Sequence, residues 1–120
     1  MDSIYIVLIV AVAFLILQRM LPAKGVRQMT TAELKGEIND KGKQFVDVRT
    51  PAEYRSNHIK GFMNIPLNEL SSAAAAKLSK DKEVVVICQS GIRSTKASKL
   101  LKKLGYQQVT NVKGGMSAWS

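Results

Sequence analysis

The chain has one cysteine, one histidine and one tryptophan in 120 residues. A lone thiol, Cys88, cannot close an intramolecular disulfide, which excludes a disulfide-stapled secreted scaffold and fits a reducing compartment. The lone histidine, His58, is too isolated for a zinc-type ligand set, so a hydrogen-bonded structural role is expected of it and no metal is expected. Acidic residues are scarce, 9 against 18 Lys and Arg, giving a formal net charge of +9. That balance favours anionic partners, whether nucleic acid, anionic lipid or small anions. The basic row from Lys96 to Lys103 lacks interleaved aromatics, so it is expected to be a solvated helix face, with no nucleic acid as partner. Internal repeats are absent, low complexity is confined to Ser71 through Ala76, and the length supports one compact domain, not two.

One long hydrophobic run is present. From Ile4 to Leu17 the chain reads IYIVLIVAVAFLIL without a polar residue. A spanning helix needs about 17 to 25 residues, a length reached from Ser3 to Leu21 with Arg19 snorkelling to the interface. A cleaved signal peptide wants Lys or Arg before the run and small residues after it; here Asp2 leads and Gln18-Arg19-Met20-Leu21-Pro22 follows. Residues 1–21 are therefore expected to form one uncleaved transmembrane helix, meeting the cell membrane through residues 4–21. Residues 22–25 are expected to be a linker and 26–120 the domain. Arg19, Lys24 and Arg27 all follow the run, which puts the N-terminus outside and the domain in the cytoplasm.

Thr30 with Glu33 forms a capping-box pattern ahead of Leu34 and Ile38, predicting a helix over 31–39 that Gly42 closes. Phe45 to Val48 reads as a short buried strand, and Thr50-Pro51 as an N-cap and N1 pair opening a short helix through Tyr54. Met63 to Ile65 predicts a brief strand, and the alanine-rich stretch from Leu67 to Leu78 a helix. Glu83 to Cys88 is the strongest strand signal. Between Ser94 and Leu104 the residues Ala97, Leu100, Leu101 and Leu104 line one helical face opposite Lys96, Lys99, Lys102 and Lys103, and Gly105 stops the helix. Gln107 to Val112 offers a last strand. Strands alternating with helices around an unbroken apolar strand predict an α/β domain of three layers with a mostly parallel central sheet.

Cys88 ends that apolar strand, and a helix is expected to begin six residues later at Ser94. A loop bending round the sulfur would aim successive backbone N–H groups at it. Gly91 supplies the needed dihedral freedom, and the following helix supplies the positive end of its dipole. Arg93, with Lys96 close behind, would attract an anion to the same concavity. These features suit a nucleophilic thiolate; an inert buried cysteine ending a core strand fits the local pattern equally well.

Across 26–119 the sequence resembles the rhodanese homology family of single-domain sulfurtransferases. Phe45-Val46-Asp47-Val48-Arg49 with Glu53-Tyr54 resembles one family motif, and His58-Ile59-Lys60-Gly61 through Asn64-Ile65-Pro66-Leu67 a second. Cys88-Gln89-Ser90-Gly91-Ile92-Arg93-Ser94 resembles the active-site loop, and Gly114-Gly115 with Trp119 the usual ending. Asn57, Lys60 and Phe62 depart from the common residues, all outside the loop. The resemblance implies that Cys88 attacks the outer sulfur of a donor such as thiosulfate and holds it as a persulfide for a thiol, a protein cysteine or cyanide. It implies Gln89, Ser90, Gly91, Ile92, Arg93 and Ser94 as the residues binding a small anionic sulfur donor, with no metal or organic cofactor. Four residues separate Cys88 from Arg93, against five in related phosphatases, so the smaller cradle fits sulfur better than a phosphoryl group. Asp47, Arg49 and Glu53 are expected to tie loops together by ion pairing, and Met116 and Trp119 to pack. The rival class is a membrane-tethered binding or redox-sensing module of the same fold without turnover.

Overall fold

The computed structural model describes residues 2–21 and 24–120, and of Met20 the backbone alone. Part of the expected linker, residues 22 and 23, thus lies outside the described residues, as does Met1. In chain order the elements are α1 (Ser3–Met20), β1 (Arg27–Met29), α2 (Thr31–Glu37), β2 (Lys43–Asp47), α3 (Pro51–Ser56) and β3 (Met63–Asn64). A 3₁₀ turn (Leu67–Glu69), α4 (Leu70–Lys77), β4 (Glu83–Ile87), α5 (Ile92–Lys103), β5 (Val109–Val112) and α6 (Gly115–Ala118) follow.

The strands form one sheet in the order β1-β5-β4-β2-β3, with every described pairing parallel. Central β4 explains the unbroken apolar run, because period-2 alternation sends its side chains to two different cores. Val84 and Val86 meet Leu70, Ala74, Ala97 and Leu101 from α4 and α5. Val85 and Ile87 meet Leu34 of α2, Met116 of α6, and Ile59 and Phe62 after α3. The three expected layers are therefore present. Thr30 and Thr50 both make complete capping boxes, with Glu33 and Glu53, and Pro51 sits in the first turn of α3. Each cap satisfies N–H groups that have no intrahelical partner.

Boundaries moved where tertiary contacts outweighed local pattern. α2 ends at Glu37, two residues before the expected Asn39. The stretch from Leu67 divides into the 3₁₀ turn and α4, and β5 starts at Val109 instead of Gln107. α5 opens at Ile92, two residues earlier than expected, because Gly91 at φ +107° is its N-cap. Two elements were not expected: β1, which pairs with β5 through Arg27↔Thr110, and α6.

The transmembrane helix expected over 1–21 is not supported: among the described residues no helix is long and apolar enough to cross a membrane. α1 has 18 residues and so a length of about 27 Å, against a hydrocarbon core of about 30 Å; its last turn holds Gln18 and Arg19. The large apolar side chains between its residues 4 and 17 are nonetheless more than half exposed, from Ile4 at 63% to Leu17 at 61%.

Candidate functional site

In a parallel sheet the carboxyl ends of the strands share one edge, and loops leaving that edge meet. Cys88 leaves β4 there, between the ends of β2 and β5, and is buried. The loop curls back so that the Gly91 N–H donates to Cys88 Sγ at 3.0 Å. Ser94 Oγ lies 3.4 Å from the sulfur, in hydrogen-bond reach. The Ser94 hydroxyl also reaches the Gly91 carbonyl at 3.1 Å, which accepts from Thr95 N at 3.0 Å and Thr95 Oγ1 at 2.7 Å as well. Ser94 can therefore turn its hydrogen to a charged sulfur without leaving that carbonyl unpaired. The N-terminus of α5 begins at the same place, adding the positive end of its dipole.

Turning loop amides inward turns carbonyls outward, and those need donors. α6 supplies them: Met116 N donates to Cys88 O at 2.8 Å and Ser117 N to Gln89 O at 2.9 Å. This approach requires glycine. Gly115 has φ +57°, and a Cβ there would stand 2.3 Å from Cys88 O. Gln89 adds a side-chain brace, accepting from Arg49 Nη1 at 3.4 Å and donating to Ser117 Oγ at 3.2 Å.

The structure divides the candidate residues. Gly91 and Ser94 surround the Cys88 sulfur. Gln89 and Arg93 turn to flanking elements, and Ser90 and Ile92 face outward, Ile92 being 74% exposed. The expected trio of Asp47, Arg49 and Glu53 is corrected to two separate pairs. Arg49, buried, is gripped by both oxygens of buried Asp47, with Nη2 2.8 Å from Oδ2, and donates to Asn57 O at 2.7 Å. Glu53 instead takes Arg93, at 2.6 and 2.9 Å through both carboxylate oxygens. That guanidinium, followed by the Thr50 hydrogen bonds, holds the Glu53 carboxyl down at about 2. The same hydrogen bond pushes Arg93 up.

His58 Nδ1 donates to Tyr54 O at 2.9 Å, and the imidazole stacks on the Tyr54 ring, a hydrogen-bonded packing position. Met116 and Trp119 pack in the second core. Two cavities flank the loop. One of about 510 Å³ is lined by Val48, Thr50, Pro66, Leu67, Arg93 and Lys96; the other, of about 580 Å³, by residues that include Gln28, Ser90, Ile92, Asn111 and Lys113. Sequence reasoning missed the role of Gly115, whose signal was present in the Gly114-Gly115 pair, and the partnership of Glu53 with Arg93, which had no local signal.

Two outcomes follow from this geometry. Gly115→Ala is expected to melt at lower temperature than Gly61→Ala and to alter the rate at which iodoacetamide alkylates Cys88. Gly61 has φ +98° but open space around a Cβ, whereas Gly115 meets backbone as well as strain. Glu53 has a folded value near 2 against its ordinary 4.5, so its contribution is complete above about pH 4.5 and is lost as pH falls through 2. Thermal melts across that range are expected to show the wild-type advantage over Glu53→Gln fading toward pH 2.

A family model described as "Rhodanese-like domain" matches residues 30–120. Among curated relatives, "Putative sulfurtransferase YtwF" of Bacillus subtilis (strain 168) is 37% identical over 95 residues, covering 78% of this chain and 90% of that protein. "Putative sulfur carrier protein YrkF" of the same organism is 34% identical over 99 residues, covering 82% of this chain and 53% of that protein. The match to "Uncharacterized protein YqhL" of that organism covers 60% of its length, so the chain spans little more than half of these last two relatives. The crystal structure of a rhodanese-like domain protein from Staphylococcus aureus superposes with a TM-score of 0.72 at 32% identity, covering 79% of this chain and 92% of that one. A loop of this build at the end of β4, within a family match running from Thr30 to the last residue, means that the chain belongs to the rhodanese-like domain family.

Proposed function

We propose that this domain is a sulfurtransferase that carries sulfane sulfur as a persulfide on Cys88. The observation that carries the reading is the sulfur at the centre of its loop, 3.0 Å from the Gly91 N–H and 3.4 Å from Ser94 Oγ. Relatives named as sulfurtransferases and as a sulfur carrier support it.

The Cys88 thiolate attacks the outer sulfur of a small anionic donor such as thiosulfate. The Cys88–S bond forms as the donor's S–S bond breaks, and sulfite leaves with that electron pair. The terminal persulfide sulfur then bears the charge, among loop amides from Gln89 to Ser94 and beside the start of α5. An acceptor thiolate, from a small thiol or a protein cysteine, or cyanide, attacks the terminal sulfur and returns Cys88 as thiolate. Arg93 and the loop residues Gln89, Ser90, Gly91, Ile92 and Ser94 form the donor site in this reading. The chemistry draws on no metal or organic cofactor.

We also propose that α1 holds the domain at the cell membrane, with the N-terminus outside and the domain in the cytoplasm. Support comes from an apolar surface exposed on every side of α1 and from the cations Arg19, Lys24 and Arg27 that follow it. Because α1 is about 3 Å shorter than a typical hydrocarbon core, this placement requires local thinning of the bilayer and snorkelling of Arg19.

Intact-mass spectrometry after brief incubation with thiosulfate is expected to show a gain of one sulfur that a reductant removes, and no gain in Cys88→Ser. No gain with thiosulfate or a second sulfane donor would favour the binding-module reading. The full chain is expected to stay with carbonate-washed membranes and to resist protease added outside intact cells. Release by carbonate, or digestion from outside, would overturn the placement.

A further inference from the structure

The active loop carries its own cation, and that cation is already engaged. Arg93 presents Nη1 and Nη2 to the two oxygens of Glu53 at 2.6 and 2.9 Å, the fork-to-fork geometry in which guanidinium binds carboxylate most strongly. Glu53 is itself pinned. Its Oε1 accepts from Thr50 N at 3.0 Å and from Thr50 Oγ1 at 3.1 Å, as the third residue of α3 in a capping box. Swinging this carboxylate away from Arg93 would therefore break the start of a helix as well as an ion pair. The other guanidinium near the loop, Arg49, is buried and held by Asp47. Lys96, one turn along α5, stands exposed.

We infer that Glu53 sets the charge of the donor this site accepts, disfavouring a dianion and favouring a sulfane donor that bears one negative charge or none, such as a thiol-borne persulfide. The inference rests on the sulfur-transfer reading. A dianion approaching the loop meets a neutralised guanidinium and a fixed carboxylate beside it. To gain Arg93 it must displace Glu53, whereas a persulfide need not. In that reaction the Cys88 thiolate attacks the outer sulfur of R–S–S–H, the donor's S–S bond breaks, and the thiolate R–S⁻ leaves and takes up the proton. No other reactant is consumed. Lys96 lines the same cavity as Arg93 and acts on every donor in wild type and variant alike, so the change in donor ratio on altering Glu53 reports the Glu53 and Arg93 pair.

Glu53→Gln removes the charge and keeps the capping box, since glutamine serves at the third helical position as glutamate does. The test compares kcat/KM for loading Cys88 from three donors: thiosulfate with two charges, methanethiosulfonate with one, and the persulfide of 2-mercaptoethanol. Methanethiosulfonate shares thiosulfate's transferable sulfur and a sulfur-oxygen leaving group, so it reports charge with little change in chemistry. The full chain is expected to prefer the two less charged donors. Glu53→Gln is expected to shift the ratio toward thiosulfate by about tenfold, the scale of one charge-assisted interaction. An unchanged ratio in a folded Glu53→Gln protein would overturn the inference and leave Glu53 as a structural tie. If that variant fails to fold, a wild-type preference for thiosulfate over both other donors overturns it, and the reverse order supports it. Failure of all three donors to load Cys88 in the wild type would overturn the sulfur-transfer reading together with this one.

Discussion

The site depends on one close approach, that of α6 to the back of the active loop. A loop can aim N–H groups at a central sulfur only if its carbonyls point away, and a carbonyl turned from the sulfur near the core must find a donor. Met116 N and Ser117 N are those donors, and they reach Cys88 O and Gln89 O because Gly115 adds no side chain where a Cβ would lie 2.3 Å from a carbonyl oxygen. The sheet then sets where this happens. β4 is buried on both faces and lies between β2 and β5, so the loop leaving it is walled by the loops that leave its neighbours.

Two arginine and carboxylate pairs flank the loop and do different work. Arg49 and Asp47 are both buried, and a pair in that position adds little net stability compared with apolar packing. Removing one partner is costly, about 3–5 kcal/mol for a buried pair in general, because the other charge is left stranded. Arg49 also reaches Asn57 O and Gln89 Oε1, so the pair orders the segment after α3 and one wall of the loop. Glu53 and Arg93 are about one-third exposed, at 32% and 35%. Their attraction is screened and their contribution to stability modest.

Much of the fold was legible because its cues are local. Thr30 with Glu33 and Thr50 with Glu53 are capping boxes within four residues. The valines of β4 announce a strand covered on both sides, and the Leu and Lys faces of α5 alternate at helical period. The position of Cys88 at the end of β4 followed from the same cues. β1 was not legible, since Arg27-Gln28-Met29 has no alternation and becomes a strand only by pairing with β5. α6 was hidden behind Gly114-Gly115, which resembles a break in any local reading. α1 was conspicuous as an apolar helix, yet the same residues carry the polar Gln18 and Arg19 in its final turn, which shortens its apolar length.

The amino-acid sequence by itself determined most of the helices and strands, β1 and α6 apart, which faces they bury, and that a lone thiol ends the apolar central strand. These follow from interactions between residues a few positions apart and from the partition of apolar surface from water. Only the tertiary structure decided that Arg93 pairs with Glu53, 40 residues away, while Arg49 keeps Asp47. It also decided that two amides of a four-residue helix complete the cradle around Cys88. Partners so distant in the chain are brought together by the parallel sheet, whose strand ends all open on one edge, and no periodicity along the sequence encodes which of the residues gathered there will touch.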